Sequence, residues 1–74
     1  MKTYMIQLTP RDEEQACLYL SKTNGFERFI QTDSILLLTE EEAEAVCTAL
    51  DYTDTEFLNH YSAIPVRVNV TALY

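Results

Sequence analysis

The sequence predicts an α+β fold in which one small antiparallel sheet carries two helices on a single face. Three observations lead there. Thr3 to Leu8 sets Tyr4, Ile6 and Leu8 against Thr3, Met5 and Gln7, the period-two pattern of a strand with one buried face. Thr9-Pro10 and Thr39-Glu40 each open an acidic run that leads into apolar residues at helical spacing. Near the end, Val66, Val68 and Val70 alternate with Arg67, Asn69 and Thr71.

Taken in order, the first strand stops at Thr9-Pro10. Thr9 can cap a helix there, and Pro10 suits the first turn, where its missing N–H is not needed. Asp12, Glu13 and Glu14 complement the positive end of the helix dipole. This first helix is expected to run to about Thr23 and to end at Asn24-Gly25, with the chain's only glycine as the left-handed cap. Ala16, Cys17 and Leu20 would face inward and Tyr19 would lie on a flank. At about 100° per residue, Leu18 projects from nearly the opposite side, where another element covers it or a partner touches it.

Phe26 to Gln31 and Ile35 to Leu38 read as strands two and three, joined through a loop at Thr32-Asp33-Ser34. Ile35 to Leu38 is apolar on both faces and belongs in the middle of a sheet, whereas Glu27 and Arg28 suit an edge. Thr39 and Glu42 have the spacing of a capping box, in which each side chain satisfies the other residue's backbone N–H. The second helix then carries a buried stripe of Ala43, Val46, Cys47 and Leu50 and ends near Asp51 or Tyr52. Its outer side lines up Glu41, Glu44, Thr48 and Asp51.

Between Thr53 and Ile64 a short extra helix, capped by Thr53 or Asp54, is expected to carry Phe57, Leu58 and Tyr61 inward. Pro65 forces Ile64 into an extended conformation, and the last strand follows. The resulting βαββαβ order matches the ferredoxin-like arrangement, with strands one and three central. An α+β layer with the last strand paired elsewhere is the alternative. Residues 1–74 form one domain, with no repeat, linker or low-complexity segment.

Twelve acidic against five basic side chains give a net charge of −7 on 74 residues. Such a surface repels nucleic-acid phosphates and anionic membranes and attracts basic protein surfaces. Half of those twelve acids, Asp12, Glu13, Glu14, Glu40, Glu41 and Glu42, stand in expected first helical turns, where folding alone accounts for them. The stretch from Glu44 to Glu56 holds most of the remainder.

No secretory leader is expected, because Lys2, Thr3 and Gln7 interrupt the opening segment before Pro10. The longest apolar runs fall far short of the ~20 residues that cross a bilayer, so a cytoplasmic location is expected. Cys17 and Cys47 lack CxxC or nearby His partners and read as small buried hydrophobes.

Catalytic and ligand chemistry finds little footing. The acids lie in exposed turns that favour the ionised form, His60 has no adjacent Ser or Cys, and one glycine cannot make a phosphate loop. Asp51, Asp54 and Glu56 lack the glycine turn and terminal Glu of a calcium loop. Phe29, Met5 and Arg67 on an open sheet face do not amount to a basic-aromatic RNA motif. No enzyme activity, cofactor or metal is expected.

What remains is a protein-binding surface built from Glu41, Glu44, Asp51, Tyr52, Asp54 and Glu56, with Leu18 as an apolar anchor. The expected partner is a basic protein surface, including that of a nucleic-acid-binding enzyme, rather than nucleic acid or membrane. In size and charge the chain resembles the compact acidic inhibitors of CRISPR nucleases that phages and mobile elements carry. That resemblance implies an inhibitor of a nucleic-acid-processing machine. The alternatives are a homodimeric accessory domain, whose acids only keep it soluble, and a small-molecule sensor built on a dimeric sheet.

Overall fold

The computed structural model describes residues 1–12, 15–23, 25–28 and 32–68. In chain order the elements are β1 (Tyr4–Pro10), β2 (Leu18–Leu20), β3 (Phe26–Glu27), α1 (Glu40–Tyr52) and β4 (Tyr61–Arg67), with 3-10 turns at Thr32–Ser34 and Leu58–His60. The sheet has the order β3-β2-β1-β4 and every neighbouring pair is antiparallel.

β1 organises the rest. Its even-numbered residues Ile6 and Leu8 are fully buried, and they join Leu38, Ala43, Cys47 and Ala63 in the core between sheet and helix. Alternation along the strand turns Met5, Gln7 and Thr9 to the other face. Leu8 pairs with Leu18 of β2 on one side and with Ala63 of β4 on the other, so both neighbours bring apolar residues onto the helix side.

The helix forms where its sequence says it should. Thr39 accepts a hydrogen bond from the Glu42 N–H through its Oγ1 at 3.1 Å, and the Thr39 N–H donates to Glu42 Oε1 at 3.0 Å. Both halves of the capping box are therefore present, and each satisfies a backbone donor that the first turn leaves without a helical partner. Ala43 and Cys47, small and buried, lie one turn apart and let the helix approach the sheet closely. At the far end the Thr53 hydroxyl donates to Ala49 O at 2.7 Å, in place of a glycine cap.

Elsewhere the fold departs from the expected one. There is one α-helix among the described residues, not two, and the strand order is not ferredoxin-like. The expected helix from Pro10 to Thr23 does not form: Pro10 ends β1 and Leu18–Leu20 is β2. The reason lies in how each conformation distributes leucines. On a helix Leu18 and Leu20 point about 200° apart and only one can be buried, whereas on a strand they share a face. As β2, both are half-buried against the core, and each contributes a part of the roughly 1.5–3 kcal/mol that complete burial of a Leu is worth. β1 also needs a partner for its second edge, which a helix cannot supply.

Gly25 does adopt positive φ, at +71°, but in the turn from β2 to β3 rather than at a helix cap. Ser21, which is buried, donates both its N–H (2.8 Å) and its hydroxyl (3.0 Å) to Gly25 O, closing that turn. Of the expected second strand, Phe26–Glu27 is β3, and Phe29 to Gln31 lie outside the described residues.

Ile35 to Leu38 is not a strand either. It makes two isolated bridges, Ser21 with Ile35 and Tyr4 with Leu38, and so spans the gap where β2 and β1 splay apart. The Leu36 N–H donates to Leu20 O at 3.3 Å, and Leu38 exchanges both backbone hydrogen bonds with Tyr4 at 2.8 and 2.9 Å. Ile35 and Leu38 are buried and Leu36 packs against the core, which accounts for three of the four apolar residues in the run.

The last strand begins at Tyr61, ahead of Pro65 rather than after it, and Pro65 sits inside β4 opposite Ile6. Val68 follows the strand, its N–H donating to Thr3 O at 2.7 Å, while Val70 and Thr71 lie outside the described residues. In place of the expected short helix there is only the 3-10 turn at Leu58–His60, with Thr55 Oγ1 accepting from the Leu58 N–H at 3.1 Å.

Candidate functional site

The surface singled out by charge is the outer side of α1 and the segment that follows it. Glu41, Glu44, Asp51 and Tyr52 all lie on α1 and are exposed, and Asp54 and Glu56 continue beyond its end, also exposed. A rise of 1.5 Å per residue separates Glu41 from Asp51 by about 15 Å along the axis. The acidic surface is therefore long and thin, with Glu41 and Glu44 toward one end and Asp51, Asp54 and Glu56 toward the other.

Leu18 is not part of it. That residue lies on β2, half-buried and packed against the core on the helix side of the sheet, so it cannot serve as an exposed anchor. The error follows directly from reading the segment as a helix, where Leu18 would have stood opposite the buried stripe.

Two of the acids serve the fold. An Asp51 Oδ1 accepts from the Ala63 N–H of β4 at 3.5 Å, a long contact at the outer limit of a hydrogen bond, and Asp54 Oδ1 accepts from Asn59 Nδ2 at 3.1 Å. Glu41, Glu44 and Glu56 make no hydrogen bond or ion pair among the described residues and extend into solvent. Glu42 belongs to the cap: its hydrogen bonds from the Thr39 backbone and side chain hold its carboxyl below the ordinary value.

Aromatic surface accompanies the charge. Tyr52, at the last turn of α1, is 86% exposed, and Phe57 is 50% exposed with its ring 5.3 Å from that of Tyr61. Phe57 was expected to point inward. A 3-10 turn of three residues has too little length to turn a whole apolar stripe to one side, so only Leu58 and Tyr61 reach the core. The Tyr61 hydroxyl donates to Gln15 Oε1 at 3.0 Å, which orients the ring against which Phe57 rests. The missed signal is the Thr55 to Leu58 spacing, which matches the side-chain bond that closes this turn and places Phe57 outside it.

Other groups do not converge. An open cleft of about 550 Å3 at the N-terminal end of α1 sets Met1 and Arg67 against Glu40 and Glu41, so its wall carries both signs of charge. Burial, and secondarily the charge of Asp51, pushes the Cys47 thiol above its ordinary value, which keeps it protonated and unreactive. Cys17 is also a free thiol, half-buried, with Gln7 Nε2 3.5 Å from its sulfur. His60 is exposed and uses its backbone carbonyl to accept from the Arg11 N–H at 2.9 Å. Among the described residues no group of three His, Cys, Asp or Glu side chains could hold a metal, and no helix is long and apolar enough to cross a membrane.

Compared with models of protein families, with characterised proteins and with solved structures, the chain matches none.

Proposed function

We propose that this protein is a non-enzymatic binding module that presents an acidic, aromatic-tipped helix face to a basic protein surface. The observation that carries the reading is Tyr52, an aromatic ring 86% exposed at the end of a row of solvated carboxylates. An exposed aromatic inside a polar rim is the composition of an interaction hot spot, and carboxylates around it steer a basic partner and discourage an acidic one. Glu41, Glu44 and Glu56 supply the steering and Tyr52 and Phe57 the contact. Asp51 and Asp54 add charge while holding local structure.

The partner class that best fits is an enzyme whose basic groove normally holds nucleic acid, which the module would occupy as an inhibitor. It would work in the cytoplasm, the compartment that suits two free cysteines.

The test is salt dependence combined with charge reversal. A partner recovered from the native host should bind at least tenfold more weakly at 500 mM than at 50 mM salt. Glu41→Lys, Glu44→Lys and Glu56→Lys together should abolish binding, and Tyr52→Ala should weaken it about tenfold, equivalent to about 1.4 kcal/mol. If the triple reversal binds every recovered partner as the unaltered protein does, the acidic face is not the interface and the proposal fails.

A further inference from the structure

The outer edge of β4 is seven residues long and pairs with no strand among the described residues, which ordinarily makes it a template for a strand from another chain. We propose that this edge is built to refuse such a strand, through a different device at three of the four positions where an incoming strand would need a donor.

The register shows which groups face outward. The Val68 N–H bonds to Thr3 O and the Arg11 N–H to His60 O, so the pairs that exchange hydrogen bonds with β1 are His60, Ser62, Ile64, Val66 and Val68. Tyr61, Ala63, Pro65 and Arg67 therefore direct their backbone groups away from the sheet. The Tyr61 N–H is taken by Leu58 O, within the turn that leads into the strand. The Ala63 N–H faces the Asp51 carboxylate from the last turn of α1, 3.5 Å away. Pro65 has no N–H at all, and its place on an outward-facing position is the one a strand tolerates. Arg67 alone keeps an outward N–H, at the end of the strand.

An antiparallel partner must exchange two hydrogen bonds at every second residue. Here it would meet an occupied donor, then a donor shielded by a carboxylate that repels the incoming carbonyl, then a proline ring. Only the Arg67 position could complete a pair, and one pair does not make a ladder. The opposite edge needs no such protection, because β3 is two residues long.

The proposal is independent of the binding reading above, and its test is the state of association. The unaltered protein is expected to sediment as a monomer across a hundredfold range of concentration. Pro65→Val restores a donor at an exposed position, and Asp51→Ala uncovers the one at Ala63. The double variant should associate at least tenfold more tightly than either single variant, with hydrogen-exchange protection appearing at the amide restored by Pro65→Val and at Arg67. Should the double variant fail to fold, Pro65→Val alone carries the test and should associate measurably. In the unaltered monomer the Ala63 amide should exchange slowly and lose that protection in Asp51→Ala. A folded double variant that remains monomeric over the same range would overturn the proposal. So would an unaltered protein that associates with protection appearing at Arg67.

Discussion

Two stretches of this chain begin with almost the same words and fold differently. Thr9-Pro10-Arg11-Asp12 and Thr39-Glu40-Glu41-Glu42 both place a capping hydroxyl before an acidic turn, yet the second starts a helix while the first passes from β1 through a turn toward β2. In the first stretch the Gln15 N–H donates to Asp12 O at 3.2 Å, and residues 15–17 are not helical. The capping signals are not what separates them. Behind Thr39 stand Ala43, Val46, Cys47 and Leu50, a stripe two turns long, whereas behind Thr9 only Leu20 is a large residue on the corresponding helical face. A cap stabilises an end by about 1 kcal/mol, but a helix holds in a protein because a whole face is buried.

The largest test of this comparison strikes the strand both stretches depend on. Leu8 is buried between Leu18 and Ala63 and beneath α1, so Leu8→Ala should lower stability by about 3 kcal/mol in a urea titration and loosen both stretches together. If α1 kept its helical circular dichroism after β2 was lost, the helix would stand more independently than the shared core implies.

Gly25→Ala addresses the first stretch alone. A Cβ at that position meets nothing within 4 Å, so the cost is the left-handed backbone, about 1–2 kcal/mol, read as a lowered urea midpoint. A helix cap in the same place would have carried a similar cost but would have changed helical signal as well, which is not expected here.

Matched substitutions sharpen the contrast further. Thr39→Ala removes the capping box and should cost about 1 kcal/mol. Thr9→Ala removes a hydroxyl that only accepts from Gln7 Nε2 at 3.2 Å, and should cost about 0.5 kcal/mol or less. Equal losses would mean that Thr9 caps something after all.

The smallest effect is in pH. The Glu42 carboxyl is held below its ordinary value in the folded protein, so its contribution is present above the unfolded value and is lost as pH falls through the folded one. Glu42→Gln should therefore flatten the acid limb of the stability profile and leave the profile near neutrality almost level. A variant whose acid limb matched that of the unaltered protein would show that the cap does not depend on charge.

What could be read in advance divides along similar lines. β1 and α1 were legible to within a residue or two, because their evidence is contained in the segment itself: an alternation in one, a reciprocal cap and an i, i+3, i+4, i+7 stripe in the other. The placement of Glu41, Glu44, Asp51 and Tyr52 on one helix was legible for the same reason, since they ride on α1, whereas Asp54 and Glu56 lie beyond its end. Leu18 was misplaced because Ala16 to Leu20 is apolar throughout and fits either period. Phe57 was misplaced because a three-residue turn offers no period to read. Pro65 reads as a boundary in the sequence, although in this register its missing N–H faces outward and the strand runs through it.

By itself, then, the sequence determined the helix that carries the charge, the strand beneath it and the α+β class. Both elements have their defining interactions within a few residues of chain. Only the tertiary structure decided that residues 18–20 are a strand, that Ile35 to Leu38 bridges two others, and that β4 starts at Tyr61. A strand's hydrogen-bond partners lie on other segments, so whether an apolar run becomes one depends on which edge is open to receive it. The edge β1 offered on each side settled the matter.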